Sequence, residues 1–168
     1  MGFMDNIMAQ NPDYLFMIEN ACKAPSGHNT QPWLFKIRES EIDIYPDLSK
    51  ELPIVDPSHR ELFVSLGCAI ENLCIAAQEK GYQTEVKVIK DSFIRVLLTK
   101  DKKKQFDSSL FSQIAVRQTN RSVYDGKEIP KDSINLLKAT SNDPSISIYF
   151  YKKGTVDYEK IELLTLNG

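Results

Sequence analysis

Residues 62–77 are apolar at most positions, with Leu62, Phe63, Leu66, Ile70, Leu73, Cys74, Ile75, Ala76 and Ala77 among them. A helix apolar on every face has to be enclosed by other elements. The flanks set its ends: Asp56 is placed to cap, Pro57 suits the first helical position and Glu61 falls near the positive start, while Glu79-Lys80-Gly81 stops the run. The prediction is a long, central, buried helix that organises everything around it.

The flanking elements read in turn. Asn11 can cap a helix that Pro12 and Asp13 open, with Leu15, Phe16, Ile18, Ala21 and Cys22 as its core stripe. Residues 33–37 and 41–45 alternate as two strands around a Glu39-Ser40 turn, and 82–89 and 93–98 form a second pair around Lys90-Asp91-Ser92. Beyond them come a helical run at 106–116, another at 131–140, a strand at 145–152 and a helix starting at 156. Helices segregated from strand pairs point to an α+β fold with an antiparallel or mixed sheet. No G-x-G-x-x-G or G-x-x-x-x-G-K-[ST] string occurs, so neither a dinucleotide nor a P-loop fingerprint is present.

Composition excludes several classes. With 42% hydrophobic and 26% charged residues the chain is expected to fold, and a net charge of −2 gives no basic face for nucleic acid. Lys102, Lys103 and Lys104 read as a solvated turn. Cys22, Cys68 and Cys74 lack metal-ligand spacing, and six residues on one helix put Cys68 and Cys74 on different faces, so a disulfide between them is not expected. Such thiols suit a reducing cytoplasm. No basic stretch precedes an apolar core at the N-terminus and no run approaches the ~20 apolar residues of a membrane span, so a cytoplasmic protein without a membrane partner is expected. Residues 1–10, with Phe3, Met4, Ile7 and Met8, read as a short helix or an arm lying on a partner.

Two stretches carry chemistry. Between the first helix and the first strand lies Ala24-Pro25-Ser26-Gly27-His28-Asn29-Thr30-Gln31-Pro32-Trp33, where two prolines stiffen a loop holding side chains that donate and accept hydrogen bonds. That inventory suits the edge of a planar heterocycle. Trp33 itself reads as a core or interface anchor. The second stretch is Arg117-Gln118-Thr119-Asn120-Arg121. In an extended segment Arg117, Thr119 and Arg121 share a side, and guanidinium forks match phosphate oxygens, although a surface ion-pair cluster would use the same residues.

The string APSGHNTQPW closely resembles the flavin-contacting loop of the nitroreductase family, flavoenzymes that bind FMN and pass hydride equivalents from NAD(P)H to nitro compounds, quinones and similar acceptors. DPSHRELFVSLGCAIENLCIAAQEKG resembles that family's long helix, especially in its two-repeat branch, and His59 and Arg60 near its start are candidates to face the cofactor cavity or to pair with carboxylates. RQTNRSVYDGKEIP resembles the Arg-x-Ser-x-Arg/Lys element that holds the FMN phosphate, with Thr119 in place of Ser. In the family that element is N-terminal, whereas here it follows the long helix, which implies a first repeat at residues 1–104 and an incomplete second at 105–168. No second loop of the first kind follows 131–140, so one site per pair of repeats is implied.

The resemblance implies FMN at a repeat or subunit interface, held by Pro25, Ser26, His28, Asn29 and Gln31 together with Arg117, Gln118, Thr119 and Arg121, without a metal. It implies NAD(P)H as electron donor, a small-molecule acceptor and a homodimer. The flavin would carry the chemistry, so no protein nucleophile is required. His28 is the candidate proton donor, with a structural hydrogen bond as its other reading. The expected function is an FMN-dependent oxidoreductase; a non-catalytic FMN-binding or flavin-sequestering protein is the alternative. A Ser/His hydrolase built from Ser26, Ser58, His28 and His59 lacks a nucleophile elbow, and a dimerisation module with a decayed site fits poorly with two intact motifs.

Overall fold

The computed structural model describes residues 11–89, 92–101, 109–140 and 144–167. The expectations for residues 1–10, for Lys102 to Lys104 and for the start of the helical run at 106 lie outside them. Contacts divide the chain into a first unit, Met1–Asn120, and a second, Arg121–Gly168.

In the first unit α1 spans Pro12–Ala21, and the Asn11 side chain accepts from the Asp13 amide at 3.1 Å as the cap. Its buried face is Tyr14, Met17, Asn20 and Ala21, while Leu15 is exposed and Phe16, Ile18 and Cys22 are only partly covered. The stripe is thus rotated from the one expected, because Tyr14 is drawn inward. Its hydroxyl donates to the Glu39 carbonyl at 2.9 Å and its ring meets Tyr82 edge-on at 6.1 Å.

Strands β1 (Trp33–Ile37), β2 (Glu41–Pro46), β3 (Tyr82–Ile89) and β4 (Phe93–Lys100) form one fully antiparallel sheet in the order β1-β2-β4-β3. Between the hairpins runs the 20-residue α2, Arg60–Glu79. Leu62, Leu66, Ala69, Ile70, Leu73, Ala76 and Ala77 of α2 pack into one core with Met17 and Ala21 of α1 and with Ile42, Ile44, Val96 and Leu98 of the sheet. Trp33 belongs to that core at 7% exposure. The α+β architecture with a long central helix is therefore observed.

Burial of α2 follows one face and not its whole circumference, since Phe63 and Val64 are half exposed. By length and hydropathy alone α2 could span a membrane, unlike the expectation that no segment would. Its packing is that of a core helix. Its start also differs from the expectation: residues 57 and 58 form a turn, and His59, at φ 57°, precedes the first helical residue. Asp56 still serves the helix end, because its carboxylate accepts from the Leu62 amide at 2.9 Å. Burial pushes the Asp56 carboxyl up, but the amides of Leu62, Glu61 and Arg60 outweigh it and hold it below the ordinary range. Gly81, at φ 74°, ends the helix as predicted.

The sheet's other face carries one buried charge. Asp43, with no exposed surface, is bound by the Arg95 Nε at 2.7 Å and the Arg38 Nε at 2.8 Å. Burial raises its pKa, yet the two guanidiniums prevail and lower it. All three cysteines are free, and burial pushes Cys74 up to about 11. A short helix α3, Phe111–Val116, closes this unit, with Phe111 tilted against Phe16 at 5.4 Å.

The second unit contains α4 (Lys131–Lys138) and α5 (Val156–Asn167). The strand expected at 145–152 is not formed. An isolated extended segment has no ladder to satisfy its backbone, and no other strand is described in this unit.

Candidate functional site

The polar loop is held at both ends by buried residues, Ala24 on one side and Pro32 and Trp33 on the other. Between them the Ser26 Oγ accepts from the Gln31 amide at 2.9 Å, the Ser26 carbonyl accepts from the Asn29 amide at 3.0 Å, and the Gly27 carbonyl accepts from both the Thr30 amide and hydroxyl at 3.0 Å. A single turn, Gly27–Asn29, results. It places three non-glycine residues in left-handed backbone: His28 at φ 49°, Asn29 at 58° and Gln31 at 52°. Asn tolerates that region better than Gln does, and residues so held cost on the order of 1–3 kcal/mol each and cluster at functional sites. The result is an exposed row of His28, Asn29 and Gln31 on a fixed backbone.

The loop rests on the first turns of α2. The Gly27 amide donates to the Ser65 Oγ at 3.1 Å, and the Ser65 hydroxyl donates to the Glu61 carbonyl at 2.8 Å. Between loop and helix opens a cleft of about 300 Å³, with Pro25, Ser26 and Gly27 on one wall and Arg60, Val64 and Cys68 on the other. His28, Asn29 and Gln31 stand outside this cleft. Ser65 escaped the sequence reading, although a serine three positions after Leu62 on the buried stripe was a usable signal.

The two residues before and at the start of α2 behave differently. His59 is paired, its Nε2 lying 2.7 Å from the Glu51 carboxylate. Arg60 lines the cleft and makes no ion pair among the described residues. The hydrolase arrangement is not assembled, because neither Ser26 nor Ser58 shares a hydrogen bond with His28 or His59 among the described residues. Also among these residues, no cluster of three or more His, Cys, Asp or Glu is placed for a metal ion.

The structure brings Arg117 to the loop. Its Nη2 donates to the Lys23 carbonyl at 3.4 Å, one residue before Ala24, and the chain from 117 to 120 is irregular and exposed. Gln118 and Thr119 are exposed in the same unit, and Arg121 is exposed in the second unit.

No family model matches the chain. Two Mycobacterium tuberculosis proteins, named "Putative NAD(P)H nitroreductase Rv3131" and "Putative NAD(P)H nitroreductase MT3217" in two strains, are each 31% identical over 124 residues, covering 71% of this chain and 36% of the relative. A third, named "Putative NAD(P)H nitroreductase acg", is 29% identical over 69 residues, 41% of this chain and 21% of that protein. The chain spans about a third of the length of the curated relatives it matches most extensively. Among solved structures, a nitroreductase family protein from Streptococcus pneumoniae overlaps 73% of this chain and 87% of its own at 16% identity and a TM-score of 0.42, too low to carry weight.

Proposed function

This chain belongs with the nitroreductases, and from that premise we propose that it is part of an FMN-dependent, NAD(P)H-oxidising enzyme that reduces a small nitro, quinone or similar acceptor. The observation that carries the reading is the loop at 24–33, a polar row on left-handed backbone beside an open cleft.

The residues present fit the cofactor. Asn29 and Gln31 offer amides that both donate and accept, as the edge of a flavin ring requires, and Pro25 gives the cleft an apolar wall. Arg117 and Arg121, with Gln118 and Thr119, are the proposed phosphate holders. When bound, FMN supplies hydride transfer between nicotinamide and acceptor. The chain's own tasks are to orient the ring edge through Ser26, Asn29 and Gln31 and to hold a proton at the His28 ring for delivery to the acceptor. Residues 1–104 and 105–168 are proposed as a first repeat and part of a second. We place the protein in the cytoplasm as a homodimer, with no membrane or nucleic-acid partner.

The test is anaerobic addition of NADPH and of NADH to the FMN-loaded protein. Bleaching of the flavin absorbance by either, restored by a quinone or nitro compound, is the expected result. Bound flavin that neither nucleotide reduces would overturn the oxidoreductase reading in favour of flavin sequestration.

A further inference from the structure

We propose that Ser65 is the positioning residue of the flavin loop: it seats Gly27 on the central helix and so fixes where the ring-binding side chains begin. The inference rests on the reading of that loop as the FMN-contacting one. Ser65 touches no reacting group, and its action is through the loop backbone.

Ser65 is 3% exposed on the α2 stripe it shares with Leu62, Leu66 and Ala69. A hydroxyl at such a position costs stability unless both its functions are satisfied. Its proton goes back one turn to the Glu61 carbonyl at 2.8 Å, a bond that orients the oxygen's lone pairs away from the helix axis. The remaining acceptor capacity meets the Gly27 amide at 3.1 Å, across 38 residues of sequence. The side chain therefore belongs to a 20-residue helix on one side and to the loop on the other.

The loop lies close against the helix here: a Cβ on residue 27 would come within 3.2 Å of the Glu61 Oε2, which the Glu61 side chain would have to yield by a few tenths of an ångström. Gly27, Glu61 and Ser65 also line two cavities, the open cleft of about 300 Å³ and a narrow one of about 10 Å³ walled by Lys50, Glu51 and Asp56. The two residues joined by the Gly27–Ser65 bond thus border both cavities. The next two residues, His28 and Asn29, are already left-handed. Freed from Ser65, the amide plane of Gly27 would carry their side chains with it.

The experiment uses the full chain with Ser65→Ala and Ser65→Thr, reading hydrogen exchange at the Gly27 amide, FMN affinity and melting temperature. For Ser65→Ala we expect Gly27 exchange to accelerate and FMN affinity to fall, each roughly tenfold, as loss of one such hydrogen bond implies. Ser65→Thr keeps the hydroxyl and restores both. A control substitution in the core, Ile70→Val, lowers the melting temperature without moving either. Should Ser65→Ala not fold, Ser65→Cys keeps a side chain of similar shape and replaces the hydroxyl by a weakly accepting thiol, and the same two readouts apply. Unchanged Gly27 exchange, unchanged FMN affinity, or failure of Ser65→Thr to rescue would overturn the inference. A parent chain that binds no FMN would instead overturn the proposed function, leaving Gly27 exchange to decide whether Ser65 positions the loop.

Discussion

The first unit and the second spend their apolar residues in opposite ways. In the first, Met17, Ile42, Ile44, Leu66, Leu73 and Val96 are fully buried in one core. In the second, no described residue is buried, and Leu136, Tyr149, Leu163, Leu164 and Leu166 are all more than half exposed. Composition does not separate the two; enclosure does. A helix of 20 residues lying on a four-stranded sheet gives the first unit enough surface to bury a core, whereas the second unit's described helices have no sheet to lie on. The second unit's Lys127–Asp125 ion pair, at 2.8 Å and exposed on both sides, adds little to that. The candidate loop sits on the unit that can hold strained backbone in place.

The sharpest way to break this contrast is Leu66→Ala. It should cost about 2–5 kcal/mol in urea unfolding of the chain, as for a core leucine with no room to collapse, and a loss under 0.5 kcal/mol would deny that α2 organises the fold. Next in size, Arg117→Ala and Arg121→Ala are each expected to weaken FMN binding by about 1.5–3 kcal/mol, the range for hydrogen bonds to charged groups. Parental affinity in both variants would remove the phosphate assignment.

Asp43→Asn should cost about 1–2 kcal/mol at neutral pH, since its two arginines remain partly in water. Its carboxyl titrates below the ordinary value near 4, so the pair's stability is present above that pH and is lost as pH falls through the lower, folded value. The urea midpoints of parent and variant should therefore converge in acid; a constant gap would contradict the ion-pair account. Smallest of all, Leu164→Ala at 73% exposure should change stability by less than about 0.5 kcal/mol. A larger loss would show that this helix is covered in solution.

Most of the first unit was legible because its signals are local. Asn11-Pro12 starts α1, Gly81 ends α2, and the alternation in residues 33–37 and 82–89 gives strands at those positions. Long-range partners were not legible. Tyr14 turned the buried face of α1 by reaching Glu39, and Ser65 became part of the loop by reaching Gly27. The start of α2 moved because Asp56 caps from outside the helix while His59 takes the left-handed position before it. At 145–152 the apolar residues read as a strand, but a strand needs a neighbour. At the candidate site, the polar inventory of the loop could be read directly, whereas its left-handed backbone at His28, Asn29 and Gln31 could not, since none of them is glycine.

We propose that the loop at 24–33 receives the flavin. The most direct measurement is an FMN titration of the parent chain and of an Asn29→Ala/Gln31→Ala variant, followed by the visible spectrum of the flavin. The account predicts a saturable spectral perturbation in the parent that is weakened at least tenfold in the variant, in line with two lost hydrogen-bonding amides at roughly 1 kcal/mol each. Equal binding and an identical spectrum in the two proteins would contradict it.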